Sequence, residues 1–315
     1  MEYVLGIDLG GTFIKVGVIR DGELLAYNTF ASDSERGLQR NLPLIRQEAE
    51  RLLDRCGAVQ NRLAGVGIAF PGIVDIDGRR VISTNRKYDD APHIDLPAWT
   101  ADTWHCDCFM DNDARMSAVA EWKYGEGRGC NNMVLMTIGT GIGTAVIQKG
   151  SLMRGSHYQA GCLGGHFTIN YNGRTCSCGN RGCIEAESGS RTLPEIAGET
   201  EGFAESPISR EAKIDFEALF RLAGSGDPFC LRLRDRYLNL WGAALVNYIH
   251  AYDPEVVILG GGVLKSREVI VPHLQRFIDR YAWTPSSSVP IRCSDMYETS
   301  TLLGAAYCAL NKRLQ

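Results

Sequence analysis

Four metal-ligating side chains occur close together near the middle of the chain. They follow the order H-x9-C-x-C-x4-C, as His166, Cys176, Cys178 and Cys183. One imidazole and three thiols form a ligand set that suits tetrahedral Zn²⁺. Because the four ligands complete that geometry, the pattern predicts a structural zinc site, which would also orient Glu185 two residues further on. The alternative is that the cysteines are free and buried.

A second candidate for chemistry is the run Asp111-Asn112-Asp113, which follows an apolar stretch and precedes a predicted helix. Asp or Asn at such a position is often the N-cap of the helix. One cap needs only one of the three residues. Asp113 could accept the proton of a substrate hydroxyl or align that hydroxyl with a phosphoryl group. Asn112 and Asp111 could bind neighbouring hydroxyls or brace the turn.

Glycine-rich turns beside apolar stretches are candidates for phosphate binding. Glycine lets backbone N–H groups approach an anion closely, and a neighbouring threonine adds a hydroxyl donor. Asp8 precedes the first turn, and a carboxylate beside a phosphate implies a cation such as Mg²⁺ between them. Each turn by itself also fits a purely structural role. The three turns are Gly10-Gly11-Thr12, Gly139-Thr140-Gly141-Ile142-Gly143 and Gly260-Gly261-Gly262.

The elements that must position these residues alternate between strands and helices. Residues 4–24 and 134–152 both read as strand, glycine turn and strand, which indicates two related halves or a chance similarity of two buried hairpins. We expect an irregular surface segment or helix pair over 191–213. The alternation predicts an α/β protein. The other predicted elements are helices over 35–56, 114–124 and 231–252 and strands over 63–73 and 256–259.

Composition excludes several classes of protein. Hydrophobic residues make up 44% and charged residues 22% of the 315 residues, so a folded core is expected rather than disorder. The net charge of −4 argues against nucleic-acid binding through a large basic surface. The N-terminal residues lack the pattern of a signal peptide, and no apolar run is long enough to span a membrane. A cytoplasmic protein with reduced cysteines, and with no membrane partner, is therefore expected.

Taken together and in this order, the motifs resemble the ROK family of bacterial sugar kinases, within the actin-like ATPase superfamily. The resemblance covers nearly the whole chain. Its most specific string is CSCGNRGCIE over residues 176–185, which resembles the zinc loop of the family. Residues 8–12 and 138–143 look like the two phosphate hairpins. Residues 258–262 look like the adenosine turn, and 303–306 look like the final helix.

The resemblance implies an α/β actin-like ATPase (ribonuclease H-like) fold with two domains flanking a cleft, 1–113 plus 300–315 and 114–299. It implies Asp113 as the catalytic base and Asn112, His166, Glu185 and Asn85 as sugar-binding residues, with His166 also a zinc ligand. ATP, Mg²⁺ and structural Zn²⁺ are the implied cofactors. The implied nucleotide- and phosphate-binding residues are Asp8, Gly10, Gly11, Thr12, Gly139, Thr140, Gly141, Gly143, Gly260, Gly261 and Gly262.

The implied activity is ATP-dependent phosphorylation of a monosaccharide hydroxyl, the 6-hydroxyl of a hexose or hexose derivative, with a homodimer as a possible assembly. One alternative is a non-catalytic, sugar-responsive sensor or regulator of the same family. Family repressors carry a helix-turn-helix before the first hairpin, which begins here at Tyr3. Another alternative is a kinase that uses polyphosphate as the donor.

Two segments depart from the family pattern. Glucose-phosphorylating members usually read AGEIGH before the zinc histidine, whereas residues 160–166 read AGCLGGH, with Cys162 or Leu163 in place of the glutamate. A charge-assisted contact to the sugar is therefore lost, and a substrate other than, or in addition to, glucose is expected. Residues 83–90 read STNRKYDD, where Asn85 keeps part of the usual segment and Arg86 and Lys87 are new.

Overall fold

The computed structural model describes residues 2–58 and 63–311. Residues 1, 59–62 and 312–315 of the predicted N-terminal domain lie outside the described residues. The chain divides into two compact units. Unit 1 comprises Met1–Gly129, Gly150–Cys162 and Met296–Gln315, and unit 2 comprises Cys130–Lys149 and Leu163–Asp295.

The described residues form the following elements. The strands are β1 (Tyr3–Leu9), β2 (Phe13–Arg20), β3 (Glu23–Ala31), β4 (Leu63–Phe70), β5 (Gly72–Asp75), β6 (Arg80–Thr84), β7 (Cys108–Asn112), β8 (Met133–Ile138), β9 (Ile142–Gln148), β10 (Ser151–Leu152), β11 (Val256–Gly260) and β12 (Ile291–Cys293). The helices are α1 (Leu42–Arg55), α2 (Leu96–Trp104), α3 (Asp113–Lys123), α4 (Ile184–Ser188), α5 (Leu193–Glu199), α6 (Phe216–Gly224), α7 (Pro228–Tyr252), α8 (Arg267–Tyr281) and α9 (Ser300–Leu310).

Unit 1 is built on a five-stranded mixed sheet in the order β3-β2-β1-β4-β7. Strands β1 and β2 form an antiparallel hairpin, while β1, β4 and β7 run parallel to one another. Leu5, Val16 and Ile68 are fully or almost fully buried in its core, together with Ile45 of α1. Parallel strands buried on both faces require apolar side chains along their whole length, which explains the apolar sequence of β1 and β4.

Helix α9 approaches this sheet very closely because glycines face it. A Cβ atom on Gly67 of β4 would lie 2.1 Å from the Ala305 carbonyl oxygen. A Cβ atom on Gly6 of β1 would lie 2.8 Å from the Leu302 carbonyl oxygen. The glycines in the two strands thus make room for the backbone of the final helix.

Unit 2 contains the strand order β9-β8-β11-β12, with a β8–β9 antiparallel hairpin and β8, β11 and β12 parallel. The long helix α7 contacts two segments of this unit that carry candidate site residues. Its fully buried Trp241 donates from Nε1 to the Ser188 carbonyl oxygen at 3.3 Å. Its Tyr248 hydroxyl donates to the Gly164 carbonyl oxygen at 2.9 Å, two residues before His166.

Most sequence-predicted elements are confirmed, including both hairpins and the helix at 114–124. The helix predicted over 35–56 begins instead at Leu42, because Pro43 occupies its first turn and Ser34–Arg36 forms a separate 3-10 helix. Residues 191–213 contain α5 and a 3-10 helix, Pro207–Arg210. Among the described helices, none combines the length and hydrophobicity that a membrane crossing requires.

Candidate functional site

The acidic residues of unit 1 meet at one edge of its sheet. Asp8 near the end of β1 is in register with Ala69 of β4, and Ala69 is in register with Asp111 of β7. Because these strands are parallel, their carboxyl ends lie side by side. Asp113 follows two residues after Asp111, at the first position of α3. The sheet therefore brings two candidates from distant parts of the sequence, Asp8 and Asp113, to the same edge.

Three adjacent side chains have separate environments here. Asn112 is the N-cap, since its Oδ1 accepts hydrogen bonds from the N–H groups of Ala114 and Arg115, and its Nδ2 donates to the Gly72 carbonyl oxygen at 3.1 Å. Asp111 is fully buried in the protein interior. Asp113 is half-buried, and its Oδ1 accepts from the Ala114 N–H at 2.8 Å. The cap function therefore belongs to Asn112 rather than to Asp113.

Asp111 is neutralised by two arginines of unit 1. Arg115 donates from a terminal guanidinium nitrogen to Oδ1 at 3.0 Å, and Arg154 donates from Nε to Oδ2 at 2.9 Å. The other terminal nitrogen of Arg115 donates to the carbonyl oxygens of Tyr158 and Ala160. This buried network fastens residues 154–160 to the start of α3, so its members brace the site.

Asp8 is a buried carboxylate with two lysines near it. Burial is the largest of the effects that together raise its pKa to about 6; the charge of Lys15 opposes the shift, the charge of Asp113 adds to it, and the charge of Lys87 opposes it. The Nζ atom of Lys15 lies 3.8 Å from Oδ2 of Asp8. These electrostatic effects indicate that Asp8, Asp113, Lys15 and Lys87 form one charged cluster.

The first glycine turn is held in place by hydroxyl groups that donate hydrogen bonds to its carbonyl oxygens. The Gly11 carbonyl oxygen accepts hydrogen bonds from the hydroxyls of Ser32 and Ser34, each at 2.7 Å. The Gly10 carbonyl oxygen accepts from the hydroxyl of Tyr88 at 2.8 Å. These bonds fix the orientation of the peptide groups between Gly10 and Thr12, as an anion-binding turn requires.

Two glycine turns lie at one sheet edge in unit 2. Gly260 of β11 is in register with Thr137 of β8, two residues before the turn that begins at Gly139. Gly261 has a φ of 92°, and a Cβ atom there would lie 2.3 Å from the Ile138 carbonyl oxygen. The structure therefore brings the turn at 260–262 next to the second hairpin, and a side chain at Gly261 is excluded by both conformation and space.

Glu185 contacts the second hairpin turn. Its Oε2 accepts a hydrogen bond from the Ile142 N–H at 3.1 Å. Behind α4, the N–H groups of Ser190 and Arg191 donate to the carbonyl oxygens of Gly139 and Thr140 at 3.0 and 3.2 Å. The segment that follows the cysteine cluster thus holds the second glycine turn in place through three hydrogen bonds, one of which is made by Glu185.

The four predicted metal ligands come together in unit 2. Their ligand atoms all lie within 4.8 Å of one another. The Sγ of Cys176 lies 3.6 Å from Nδ1 of His166, and the Sγ atoms of Cys178 and Cys183 are 3.7 Å apart. Zn–S bonds of about 2.3 Å in a tetrahedron separate two sulfur atoms by about 3.8 Å. These two separations are close to those expected between ligands of one tetrahedral zinc ion, so the four residues could hold one.

The chemistry of the cluster also fits a cation. Burial is the largest cause that raises the pKa values of Cys183 and Cys176, and at Cys183 the neighbouring thiols raise the pKa as well. A metal ion removes this penalty because it binds thiolates. Two glycines make the tight loop possible: Gly179 and Gly182 have φ values of 89° and 68°, and a Cβ atom on Gly182 would lie 1.6 Å from the Asn170 carbonyl oxygen.

Two further residues considered in the sequence analysis lie in unit 1: Asn85, a predicted sugar-binding residue, and Cys162, which replaces the usual glutamate. Asn85 is half-buried directly after β6. Cys162 is half-buried, and its Sγ lies 3.5 Å from the Gln159 carbonyl oxygen. Sequence reasoning did not single out Lys15 or Lys87 as site residues. Lys15 was detectable, since β-strand alternation from the glycine turn puts it beside Asp8, whereas Lys87 reaches the turn only through tertiary contacts.

Comparison with known proteins identifies the relatives of this chain. Residues 4–312 match the family model described as ROK family. The chain is 31% identical over 312 residues to the glucokinase of Thermotoga maritima, covering 96% of each sequence. It is 28% identical over 274 residues to the xylose repressor of Bacillus spizizenii, covering 85% of this chain and 66% of the repressor.

The solved structure of a ROK hexokinase from Thermus thermophilus has the same fold. It superposes with a TM-score of 0.76 at 30% sequence identity, covering 96% of each chain. The α/β architecture is thus the actin-like ATPase (ribonuclease H-like) fold, as the family resemblance implied. Both the family match and these similarities extend over almost the whole sequence, and the chain therefore belongs to the ROK family.

Proposed function

We propose that this chain is an ATP-dependent carbohydrate kinase that phosphorylates a hydroxyl of a monosaccharide, the 6-hydroxyl of a hexose or hexose derivative. The observation that carries the proposal is the meeting of Asp113, Asp8 and the first glycine turn at one sheet edge. Relatives named glucokinase and hexokinase support the reaction class. Asp113 would act as the base for the sugar hydroxyl, and the backbone N–H groups of the glycine turn would bind phosphate.

In the proposed reaction, the sugar hydroxyl oxygen attacks the γ-phosphorus of ATP while Asp113 accepts the hydroxyl proton. A new oxygen–phosphorus bond forms, and the bond from the γ-phosphorus to the bridging oxygen breaks. The products are a sugar phosphate, ADP and a proton, which Asp113 later releases to solvent. A magnesium ion beside the phosphates would supply positive charge, and Asp8 is the carboxylate that would hold it.

The remaining site residues have proposed roles in binding. The glycine turns at 10–12, 139–143 and 260–262 would bind the phosphates and the nucleotide. Zinc on the cysteine cluster would hold the loop before Glu185. Asn85, Asn112, His166 and Glu185 would contact sugar hydroxyls; of these, Asn112 also caps α3 and Glu185 also binds the Ile142 N–H.

The sugar specificity is proposed to differ from that of glucose-specific relatives. Cys162 carries no charge that could hold two sugar hydroxyls, and burial raises the pKa of its thiol. A neutral thiol discriminates weakly between sugar epimers, because it leaves no buried charge unpaired when a hydroxyl is missing. Substrates that lack the hydroxyl pattern of glucose, or that carry a substituent there, are therefore expected to be accepted.

The test is ADP release over a wide panel of monosaccharides, with ATP and with polyphosphate as donors. Wild-type protein should show sugar-dependent turnover, and Asp113→Asn should lower kcat by about 10²- to 10⁴-fold. Asp102→Asn is the matched control, because Asp102 lies exposed on α2. If folded, zinc-loaded protein turns over no sugar with either donor, the proposal is wrong.

The xylose repressor among the relatives favours one second candidate, a non-catalytic sugar sensor. Such a protein would bind a sugar without releasing ADP. Asp113→Asn would then leave its response to the sugar unchanged. Calorimetric sugar binding by wild-type and Asp113→Asn protein, run beside the turnover assay, separates the two functions.

A further inference from the structure

The bend after β6 carries a lysine to the first glycine turn. A Cβ atom on Gly11 would lie 2.6 Å from Cε of Lys87 and 3.2 Å from its Nζ. The lysine side chain therefore lies directly against the Gly11 backbone. These residues are 76 positions apart (87 − 11), so the contact is made by the fold and not by local sequence.

The bend is fastened to the same turn that the lysine covers. Tyr88 is fully buried, its hydroxyl donates to the Gly10 carbonyl oxygen at 2.8 Å, and its N–H donates to the Ser34 carbonyl oxygen at 2.8 Å. The Ser34 hydroxyl in turn donates to the Gly11 carbonyl oxygen at 2.7 Å. Tyr88 thus anchors its neighbour Lys87 over the glycine turn.

The backbone of this bend is strained. Arg86 and Tyr88 have φ values of 56° and 58°, in the left-handed region that residues with a Cβ rarely adopt. Such conformations persist where surrounding contacts over-determine them, and they concentrate at functional sites. At this bend the hydrogen bonds of Tyr88 supply those contacts. They hold the bend in the conformation that places the Lys87 side chain against the glycine turn.

Lys87 lies among charged side chains, and its ammonium group is placed to bind an anion. Asp8 and Asp113 lie in the same cluster, and the ammonium groups of Lys15 and Lys87 both act on Asp8. The Nζ of Lys15 donates to the Glu298 carbonyl oxygen at 2.7 Å and lies 3.8 Å from Oδ2 of Asp8. The ammonium of Lys87 lies against the turn itself, where the proposed reaction develops negative charge on the transferred phosphoryl oxygens.

We infer that Lys87 is a catalytic residue whose ammonium contacts the transferred phosphoryl group at the first glycine turn. This inference rests on the proposed kinase function. A fixed ammonium there would stabilise the charge on the phosphoryl oxygens as the bond to the leaving group breaks. The bonds formed and broken are those of the proposed reaction. Lys87 stays protonated throughout, and neither gives nor takes a proton.

The experiment compares Lys87→Gln with Arg86→Gln, a matched control that removes a cation from an exposed position of the same bend. Lys87→Gln should lower kcat by about 10²- to 10³-fold with little change in the KM of the sugar. Lys87→Arg should recover part of the loss, and Arg86→Gln should resemble wild type. Melting temperatures of all variants identify any that fail to fold.

A binding measurement keeps the inference separate from the proposed function. Lys87→Gln should weaken the affinity for AMPPNP, which has a γ-phosphoryl group, but not for ADP, which lacks one. Should wild type turn over no sugar while this difference holds, the kinase proposal fails and the phosphate contact stands. An unchanged kcat and unchanged AMPPNP affinity in folded Lys87→Gln overturn the inference.

A third result would reassign the lysine. If Lys87→Gln raises the KM of the sugar and leaves kcat at saturation unchanged, the ammonium binds a substituent of the sugar, and the inference is wrong. Tyr88→Phe is the second variant, since it keeps Lys87 but removes the hydroxyl bond to Gly10. It should lower kcat less than Lys87→Gln does, in the same direction.

Discussion

Asp111, Asn112 and Asp113 show how neighbouring polar residues acquire separate functions. Strand β7 ends inside the protein, so the Asp111 carboxylate is buried and needs the two arginines that contact it. Asn112 caps α3. Asp113 is the residue of the three that is half-exposed at the helix start, and it is therefore the one that can meet a substrate.

At the residue scale, the zinc site is directly testable. Cys178 is the exposed member of the cluster, so Cys178→Ser should disturb packing less than a change at buried Cys176 or Cys183. Wild-type protein purified with zinc should contain about one ion per chain, and Cys178→Ser should bind it far more weakly. Metal analysis and a competing chromophoric chelator measure both quantities.

The control for this prediction is Cys56→Ser. Cys56 is a free, half-buried cysteine at the end of α1, outside the cluster. It should keep the wild-type zinc content. A wild-type chain that binds no zinc above background, or a Cys178→Ser chain that binds it as tightly as wild type, would contradict the assignment.

At the scale of elements, helix α9 depends on a glycine contact with α3. A Cβ atom on Gly304 would lie 1.7 Å from the Met116 carbonyl oxygen and 3.2 Å from the Ala120 backbone nitrogen, and such backbone atoms of α3 cannot move aside as a side chain could. Gly304→Ala should therefore destabilise the protein by about 2 kcal/mol or more. Urea unfolding followed by tryptophan fluorescence measures the loss.

Gly198→Ala is the matched control, because Gly198 lies in α5 and a Cβ atom there would have nothing within 4 Å. Alanine is the better helix former, so this variant should be unchanged or more stable by about 0.5–1 kcal/mol. If both substitutions change the free energy of unfolding equally, the close approach of α9 and α3 is not the reason that position 304 requires glycine.

At the scale of the whole molecule, the two units repeat one arrangement. The strands β2-β1-β4-β7 of the unit 1 sheet correspond to β9-β8-β11-β12 of unit 2: in each set the first two strands form an antiparallel hairpin, and the second, third and fourth strands are parallel. A glycine turn joins the two strands of each hairpin. This shared topology favours related halves over a chance similarity of two hairpins.

Ligand binding should stabilise the whole chain by mass action. On the proposed function, magnesium with AMPPNP should bind the folded protein and not the unfolded chain, so a concentration of 100 Kd should add about 2.7 kcal/mol to the free energy of unfolding. The melting temperature should rise with AMPPNP concentration, measured by scanning calorimetry. Magnesium chloride alone is the control. A melting temperature that is independent of AMPPNP concentration would contradict nucleotide binding.

Local patterns in the sequence predicted an α/β protein and most of its elements, and the resemblance of its motifs implied the family. Glycine turns between apolar strands predicted both hairpins, and the H-x9-C-x-C-x4-C spacing predicted a cluster whose ligand atoms do converge. The predicted start of α1 was seven residues too early (42 − 35), because the helical spacing of apolar residues continues upstream of the first turn of the helix. Periodicity and turn chemistry are local properties, and a single sequence displays them.

Only the tertiary structure decided which of three adjacent residues caps α3 and which lysine covers Gly11. The first depends on burial at the end of β7, and the second on a tyrosine that folds into the core 78 residues after the glycine whose carbonyl it binds. Such contacts join distant parts of the chain, and their geometry follows from how the buried side chains pack. No spacing along the sequence encodes that geometry.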